Sequence, residues 1–468
     1  MPNAIDAEIS RGHPLFFHAM AAAWIHIFGA SHIAMHSFAL FISVLFLIAI
    51  YEAGIRLFNE RVAIMALILV ATQVVFFVQS SFVLFEVLVA FLAFVSMYFY
   101  VKDKYLLTAL CLTALFYTKE SGLIMGFVLG VDSIAGLFSK SNDWKTRLYR
   151  LLSVSAPCIL IMVYFIIQKQ VRGWYIFPFY HDLIEYNWNP WFYNFKMNCL
   201  RNSFWDHLRY YYFDLLLLLS IIAAIKNKSY KYLVFLIPGI IIYCMIDDKR
   251  SRLLAGQLFL VLFFLSIILL LYVLSTLKVF ANTRQKRFIV LSAVFIPCFF
   301  CFSCMNFFTY RYLLAAFIPL LFFTAVMYDK LIERSYPVLF YPVLALVLAI
   351  SFFSFKTDEG HGDSDIGAFT GIAIQQDVVD YLEQNNLYDK TIGCDGFLEL
   401  EHLLNPATGF LHSDKAFKKG SYNLDADYVV FDNLESDPKY LQIKNNPAFY
   451  VVHRYEKNGL WDEIYKRK

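Results

Sequence analysis

The stretch FALFISVLFLIAI, from Phe38 to Ile50, carries thirteen consecutive residues without a charged side chain. It lies within a predicted membrane span at 32–55, which is long enough because a bilayer core about 30 Å thick takes roughly 20 apolar residues of helix. Comparable stretches follow at 62–82, 83–101, 105–118, 120–137, 151–168, 210–225, 231–246, 253–277, 288–308, 311–328 and 337–355. The sequence therefore predicts an α-helical polytopic membrane protein with about 12 transmembrane helices.

The composition supports this class. Of the 468 residues, 59% are hydrophobic and 16% are charged, and the mean hydropathy is +0.56, whereas ordinary globular chains are about one quarter charged. The net charge of +3 is too small to predict nucleic-acid binding, so membrane lipids are the expected surroundings. The apolar segment 15–29 is too short for a span and is interrupted by His18 and His26, which favours an interfacial helix.

The sequence becomes polar after Lys356, and this change in composition predicts two domains, at 1–356 and 357–468. The second reads as a small α/β domain, with a helix at 368–385 and strands at 390–394, 426–432, 447–454 and 460–466. An Asn458-Gly459 turn joins the last two strands.

Positive residues in short loops are retained in the cytoplasm. One set of loops holds seventeen Lys and Arg residues and the opposite set holds ten, so the second set is predicted to lie outside. This places the aromatic-rich loop 169–209 and the C-terminal domain on the outer (periplasmic) side of the inner (plasma) membrane. The loop suits either a membrane-surface cover or a sugar-stacking wall, and an ordinary aromatic belt is the alternative.

Because six of the eight cysteines lie in apolar stretches, no disulfide framework is expected.

Ionisable residues are costly at membrane depth, so each one is a functional hypothesis. With this topology, several converge near the outer ends of helices. A site with both carboxylates and cations suits a substrate that is partly lipid and partly phosphate and sugar. Interfacial anchors and helix-end charges are the alternative interpretation. The converging residues are Asp6, Glu8, Arg11, His13, Glu86, Lys119, Glu120, Asp247, Asp248, Lys249, Arg250 and Arg311.

Five short motifs occur in order along the membrane part: RGHPLFF at 11–17, LFNERVA at 57–63, QSSFVLFE at 79–86, LFYTKESG at 115–122 and RYLL at 311–314. Together they resemble the GT-C glycosyltransferases of the protein-mannosyltransferase and aminoarabinose-transferase type (glycosyltransferase family 39-like). The resemblance implies a GT-C-like fold, a polyprenyl-phosphate-linked sugar donor, a lipid, glycan or protein acceptor, and inversion at the anomeric carbon.

The resemblance also implies roles for individual residues. His13, Lys119 and Arg311 match the positions that contact the donor phosphate. Glu86 matches an acidic residue that holds the sugar or a divalent metal ion, the one cofactor expected. Interfacial or helix-end roles remain the alternative for each of the four residues.

One departure concerns the catalytic base. Family members carry a further N-terminal helix and an outer loop whose Asp is the presumed base, whereas twelve residues precede His13 here. Either that helix and loop are missing from this sequence, which the thirteen helices of the aminoarabinose-transferase type favour, or Asp6 or Glu8 serves as the base. Two rival functions stay open: a transporter or flippase for a lipid-linked glycan, and a non-catalytic family member.

Overall fold

The computed structural model describes residues 12–138, 143–180, 183–246, 256–276, 280, 282–305, 309–394, 398–418, 425–433 and 438–468. The chain divides into two compact units. The first consists of Met1–Ala30 and Ala34–Thr357, and the second of Ser31–Ile33 and Asp358–Lys468.

The first unit is helical throughout its described part, as the predicted class requires. Its helices are α1 (Phe16–Phe28), α2 (His32–Ala53), α3 (Glu60–Ala71), α4 (Val74–Gln79), α5 (Phe85–Val101), α6 (Tyr105–Phe116), α7 (Leu123–Leu137), α8 (Trp144–Arg172), α9 (Trp188–Tyr193), α10 (Tyr210–Lys226), α11 (Leu236–Ile246), α12 (Gly256–Thr276), α13 (Thr283–Ser303), α14 (Leu314–Arg334) and α15 (Phe340–Lys356).

Six helical segments in the described part are long and apolar enough to cross a membrane: His32–Phe58, Glu120–Leu137, Trp144–Arg172, Thr283–Ser303, Tyr310–Arg334 and Pro337–Lys356. Shorter apolar helices accompany them, α5 and α6 among others. The polytopic helical class is confirmed. Helix α1 has 13 residues, about 20 Å of helix, which is too short to cross the bilayer. Its interfacial placement stays a prediction.

Two sequence-based boundaries were wrong. The predicted span 62–82 is divided into α3 and α4, because the Thr72 hydroxyl donates to the Ile68 carbonyl and Gln73 takes an extended conformation. The Gln73 amide donates to Leu69 O and accepts from Arg209 Nε at 3.0 Å, so both polar atoms of its side chain are hydrogen-bonded at this break in the apolar run. The predicted loop 169–209 begins late, since α8 continues to Arg172 and ends at Gly173, which has a φ of 84°.

Helix α14 lies at the centre of the first unit. In its most apolar stretch 89% of the residues are buried, compared with 28% in the corresponding stretches of α8 and α15. It packs against α3, α5, α10 and α13. Helices α8 and α15, at the periphery of the unit, expose apolar side chains, as lipid-facing helices can.

The close approach of the turn after α2 to α3 depends on one glycine. A π-helical turn, Gly54–Phe58, follows α2, and a Cβ placed on Gly54 would lie 2.5 Å from Ala63 Cα. No change of side-chain rotamer can relieve this clash, because the Cα of Ala63 is a backbone atom. At Gly130, by contrast, a Cβ would meet only Val154 Cγ1, at 3.8 Å.

We therefore expect Gly54→Ala to destabilise the first unit by about 1–3 kcal/mol through overpacking. Gly130→Ala is the matched control, and it should be neutral or slightly stabilising because alanine favours helix. The measurement is the midpoint of thermal unfolding in detergent. Equal midpoints for the two variants would contradict the tight contact at Gly54.

The second unit is a small α/β domain, as predicted. Its elements are α16 (Gly367–Gln384), β1 (Ile392–Gly393), β2 (Tyr428–Asp432), α17 (Pro438–Lys444), β3 (Phe449–Lys457) and β4 (Leu460–Arg467). The sheet order is β1-β2-β4-β3, with β1 and β2 parallel and the other pairs antiparallel. Asn458 and Gly459 both have positive φ, 53° and 81°, which is the two-residue hairpin turn that the sequence indicates. Helix α17 was not predicted.

Candidate functional site

Four helix starts supply the candidate residues. His13 lies just before α1, Glu86 is the second residue of α5, Lys119 and Glu120 open the 3₁₀ turn that leads into α7, and Arg311 lies in the 3₁₀ turn before α14. Helix starts expose unpaired N–H groups and carry partial positive charge, so they favour anions. We call these five residues the helix-start cluster.

Glu86 is the buried centre of the cluster. Its side chain is 5% exposed, and its Oε1 lies 3.0 Å from Lys119 Nζ and 3.6 Å from Arg311 Nε. The Lys119 ammonium also lies 4.0 Å from the centre of the Tyr312 ring. Glu86 Oε2 has no hydrogen-bond partner among the described residues. One carboxylate thus brings two cations together at the edge of an apolar unit.

His13 and Glu120 form a second pair in the cluster. His13 Nδ1 lies 2.7 Å from Glu120 Oε2, and its Nε2 lies 3.2 Å from the Tyr180 hydroxyl. The Phe16 amide donates to the Tyr117 carbonyl at 2.9 Å, which fixes the His13–Pro14 turn against the Lys119–Glu120 turn. The contact places an imidazole ring directly beside a carboxylate, with Tyr180 on the other ring nitrogen.

The structure brings together four residues that the sequence singled out, His13, Glu86, Lys119 and Arg311. Their roles stay predictions. Asp6 and Glu8, the predicted bases, lie outside the described residues, and so do Arg11 and residues 247–250. Glu120 was among the converging residues but had no predicted role of its own, although two adjacent charges inside an apolar run mark it in the sequence. Tyr180 and Tyr312 gave no comparable signal, since 31 tyrosines occur in the chain.

A divalent metal ion at Glu86 does not match the described residues around it. Such ions take about six oxygen ligands, mostly carboxylates, carbonyls and water, whereas Glu86 offers one carboxylate with two cations already beside it. No step of the reaction below depends on a metal, and the metal at Glu86 stays a prediction.

The aromatic loop is partly helical and packs its rings against one another. Trp188 stacks on Trp191 at 5.4 Å, and Trp191 stacks on Phe195 at 5.6 Å. Tyr180, at the other end of the loop, reaches His13. The predicted roles as a cover or a sugar-stacking wall remain predictions.

A further ionisable group occurs in the C-terminal domain, where His412 Nδ1 lies 2.9 Å from Glu383 Oε2 and 3.6 Å from Asp380 Oδ1. The hydrogen bond with Glu383 raises the pKa of His412. Burial opposes ionisation of Glu383, yet hydrogen bonds from the His412 amide and the Tyr388 hydroxyl lower its pKa overall. These groups satisfy one another, so we assign them a structural role.

Neither a protein-family model nor a curated protein matches this chain. Two crystal structures are similar to it. Both are of ArnT from Cupriavidus metallidurans, one in the apo state and one bound to undecaprenyl phosphate, with TM-scores of 0.40 and 0.39. In each case the identity is 12%, and the match covers 96% of this chain and 87% of the other. A likeness of this size carries no functional argument.

We expect Glu86→Gln to lower the free energy of unfolding by about 3–5 kcal/mol, because it leaves two cations without their buried counter-charge. Glu60→Gln is the matched control, since Glu60 is an exposed carboxylate in the first turn of α3 and should contribute only about 0.3–1 kcal/mol. The measurement is thermal unfolding in detergent.

A double variant separates the ion pair from other effects of the substitution. Glu86→Gln combined with Lys119→Met should be less destabilised than the sum of the two single variants. Additive effects would show that the carboxylate and the ammonium do not stabilise one another.

Proposed function

We infer that this protein is a membrane glycosyltransferase, which moves a sugar from a polyprenyl-phosphate-linked donor to an acceptor on the outer face of the membrane. The observation that carries the inference is the buried Glu86 carboxylate, which holds Lys119 and Arg311 side by side at the starts of apolar helices. The motif resemblance supplies the reaction class.

The charges of the cluster suit this donor. With His13 protonated, the five described members carry three positive and two negative charges, which leaves one net positive charge. A polyprenyl-phosphate sugar is a phosphodiester with one negative charge. The donor phosphate neutralises the cluster on binding. The free-energy cost of burying the cluster's positive charge and the phosphate's negative charge near the membrane surface therefore falls.

In the transfer step, the acceptor oxygen attacks the anomeric carbon and the bond from that carbon to the phosphate oxygen breaks. The leaving polyprenyl phosphate gains a second negative charge. Lys119 and Arg311 oppose that growing charge, and His13 adds a third cation, so the cluster stabilises the transition state more than the ground state.

The acceptor hydroxyl loses its proton to a base. Glu86 is a poor base, because two cations already stabilise its ionised form. The sequence assigns this role to Asp6 or Glu8, and we keep that assignment as a proposal.

The lipid part of a substrate has space in the apolar interior. A cavity of about 500 Å³ lies among helices α10 to α14, lined by apolar side chains such as Phe213, Ile242 and Phe323. An apolar cavity of this kind accepts a prenyl or acyl chain, since each buried CH₂ contributes about 0.8 kcal/mol. It supports a lipid-linked donor, a lipid acceptor, or both.

The deciding assay incubates the purified protein in vesicles with polyprenyl-phosphate-linked hexoses and pentoses and follows free polyprenyl phosphate. We expect its release to depend on added acceptor lipids, glycans or peptides. Movement of the intact donor across the bilayer without release would favour the rival flippase, and binding without either process would favour a non-catalytic family member.

His13 provides a test of the phosphate contact. His13→Ala should reduce kcat/KM for the lipid-linked donor about ten- to a hundredfold, equivalent to about 1.5–3 kcal/mol for a charge-assisted contact. His13→Lys should retain much of the activity, because lysine supplies a positive charge at the same position.

The matched control is His26→Ala, because His26 is an exposed histidine at the other end of α1. Its kinetics should stay at the wild-type level. Unchanged kinetics for His13→Ala would remove this residue from the site and return it to the role of an interfacial histidine.

A further inference from the structure

Two cysteines from distant parts of the chain meet in the first unit. Cys199 Sγ lies 3.5 Å from Cys304 Sγ, although 105 positions separate them in sequence. Both residues are 0% exposed. Cys199 belongs to the π-helical segment Asn194–Arg201 of the aromatic loop, and Cys304 directly follows α13.

Two hydrogen bonds fix the aromatic loop against the end of α13 near the sulfur atoms. The Trp191 indole donates to Cys301 O at 3.2 Å, and the Asn194 amide donates to Cys304 O at 3.3 Å. The Cys199 thiol also faces Phe300 O at 3.7 Å. The sulfur atoms are therefore held in contact by the surrounding packing.

A thiol pair in contact has two common uses, metal binding and disulfide formation. Among the described residues, no group of three or more metal-ligating side chains includes either cysteine, whereas a structural zinc site needs four ligands. A disulfide bond is about 2.05 Å long. The two sulfur atoms lie about 1.5 Å farther apart than that.

We propose that Cys199 and Cys304 form a disulfide bond that joins the aromatic loop to the end of α13 on the outer side of the membrane. Loop 169–209 and the end of α13 lie outside in the topology that the Lys and Arg counts predict, and outer compartments are oxidising. The bond would hold the part of the aromatic loop that follows Tyr180 against the end of α13.

The oxidation proceeds by thiol–disulfide exchange with a disulfide-bonded oxidoreductase of the outer compartment. One cysteine thiolate attacks the disulfide of that protein and forms a mixed disulfide, and the second thiolate displaces the oxidoreductase. Cys199 and Cys304 together lose two electrons and two protons, and the oxidoreductase leaves with two thiols. Because both sulfur atoms are buried in the folded chain, the exchange takes place while the chain folds.

The test counts thiols in the full-length protein. Cells are treated with a membrane-permeant alkylating reagent before lysis, the protein is denatured in the same reagent, and intact mass is measured before and after reduction. The chain has eight cysteines. We expect six alkylated thiols without a reductant and eight after reduction, with one linked peptide pair that contains Cys199 and Cys304.

Two variants make the result specific. In Cys199→Ser all seven remaining cysteines should be alkylated without a reductant, whereas Cys301→Ser, one turn from Cys304 on the same helix, should still protect two. Reduction should lower the Tm of the wild-type protein by a few degrees, on the order of 5 °C, and leave that of Cys199→Ser unchanged. Eight alkylated thiols in the unreduced wild-type protein, or a link between other cysteines, would overturn the proposal.

Discussion

The interaction on which the site depends is the contact of the buried Glu86 carboxylate with Lys119 and Arg311. Each of these charges alone would be costly at the edge of an apolar unit. Together they tolerate burial, because the carboxylate lies 3.0 Å from the ammonium and 3.6 Å from the guanidinium. The pairing also fixes where the two cations are, so a phosphate that binds there meets a site that is already arranged. Reorganisation during the reaction would then be small, which is the condition for electrostatic stabilisation of a transition state.

The helical architecture explains why the charges collect at this place. In lipid, the backbone must satisfy its own hydrogen bonds, so polar groups become available only where helices begin, end or break. The cluster uses four helix starts, and the turn before α7 supplies both a cation for Glu86 and a carboxylate for His13. The break between α3 and α4 follows the same rule, since Gln73 and Arg209 satisfy the exposed backbone and one another.

Much of this fold could be predicted from sequence, because lipid selects long apolar helices and the Asn458-Gly459 turn specifies a hairpin. The candidate residues could also be singled out, since a charge in an apolar run stands out, and their roles stay predictions. Their pairing could not. Lys119 and Glu120 are neighbours in sequence, yet one turns to Glu86 and the other to His13, and that choice depends on packing. The division of the span 62–82 was missed because averaged hydropathy does not register two polar residues, Thr72 and Gln73, whose side chains bond to the backbone of the preceding helical turn. The contact of Cys199 with Cys304 depends on loop docking, for which the sequence carries no pattern.

The central claim is that the helix-start cluster holds a polyprenyl phosphate, and the most direct test is covalent mapping. A polyprenyl phosphate with a photoreactive group beside the phosphate would be irradiated with the protein in vesicles, and the labelled peptides would be sequenced. The account predicts labels within residues 84–86, 117–120 and 310–313, which an excess of unlabelled polyprenyl phosphate should suppress. Labels confined to Asp358–Lys468, or labelling that the competitor does not reduce, would contradict it.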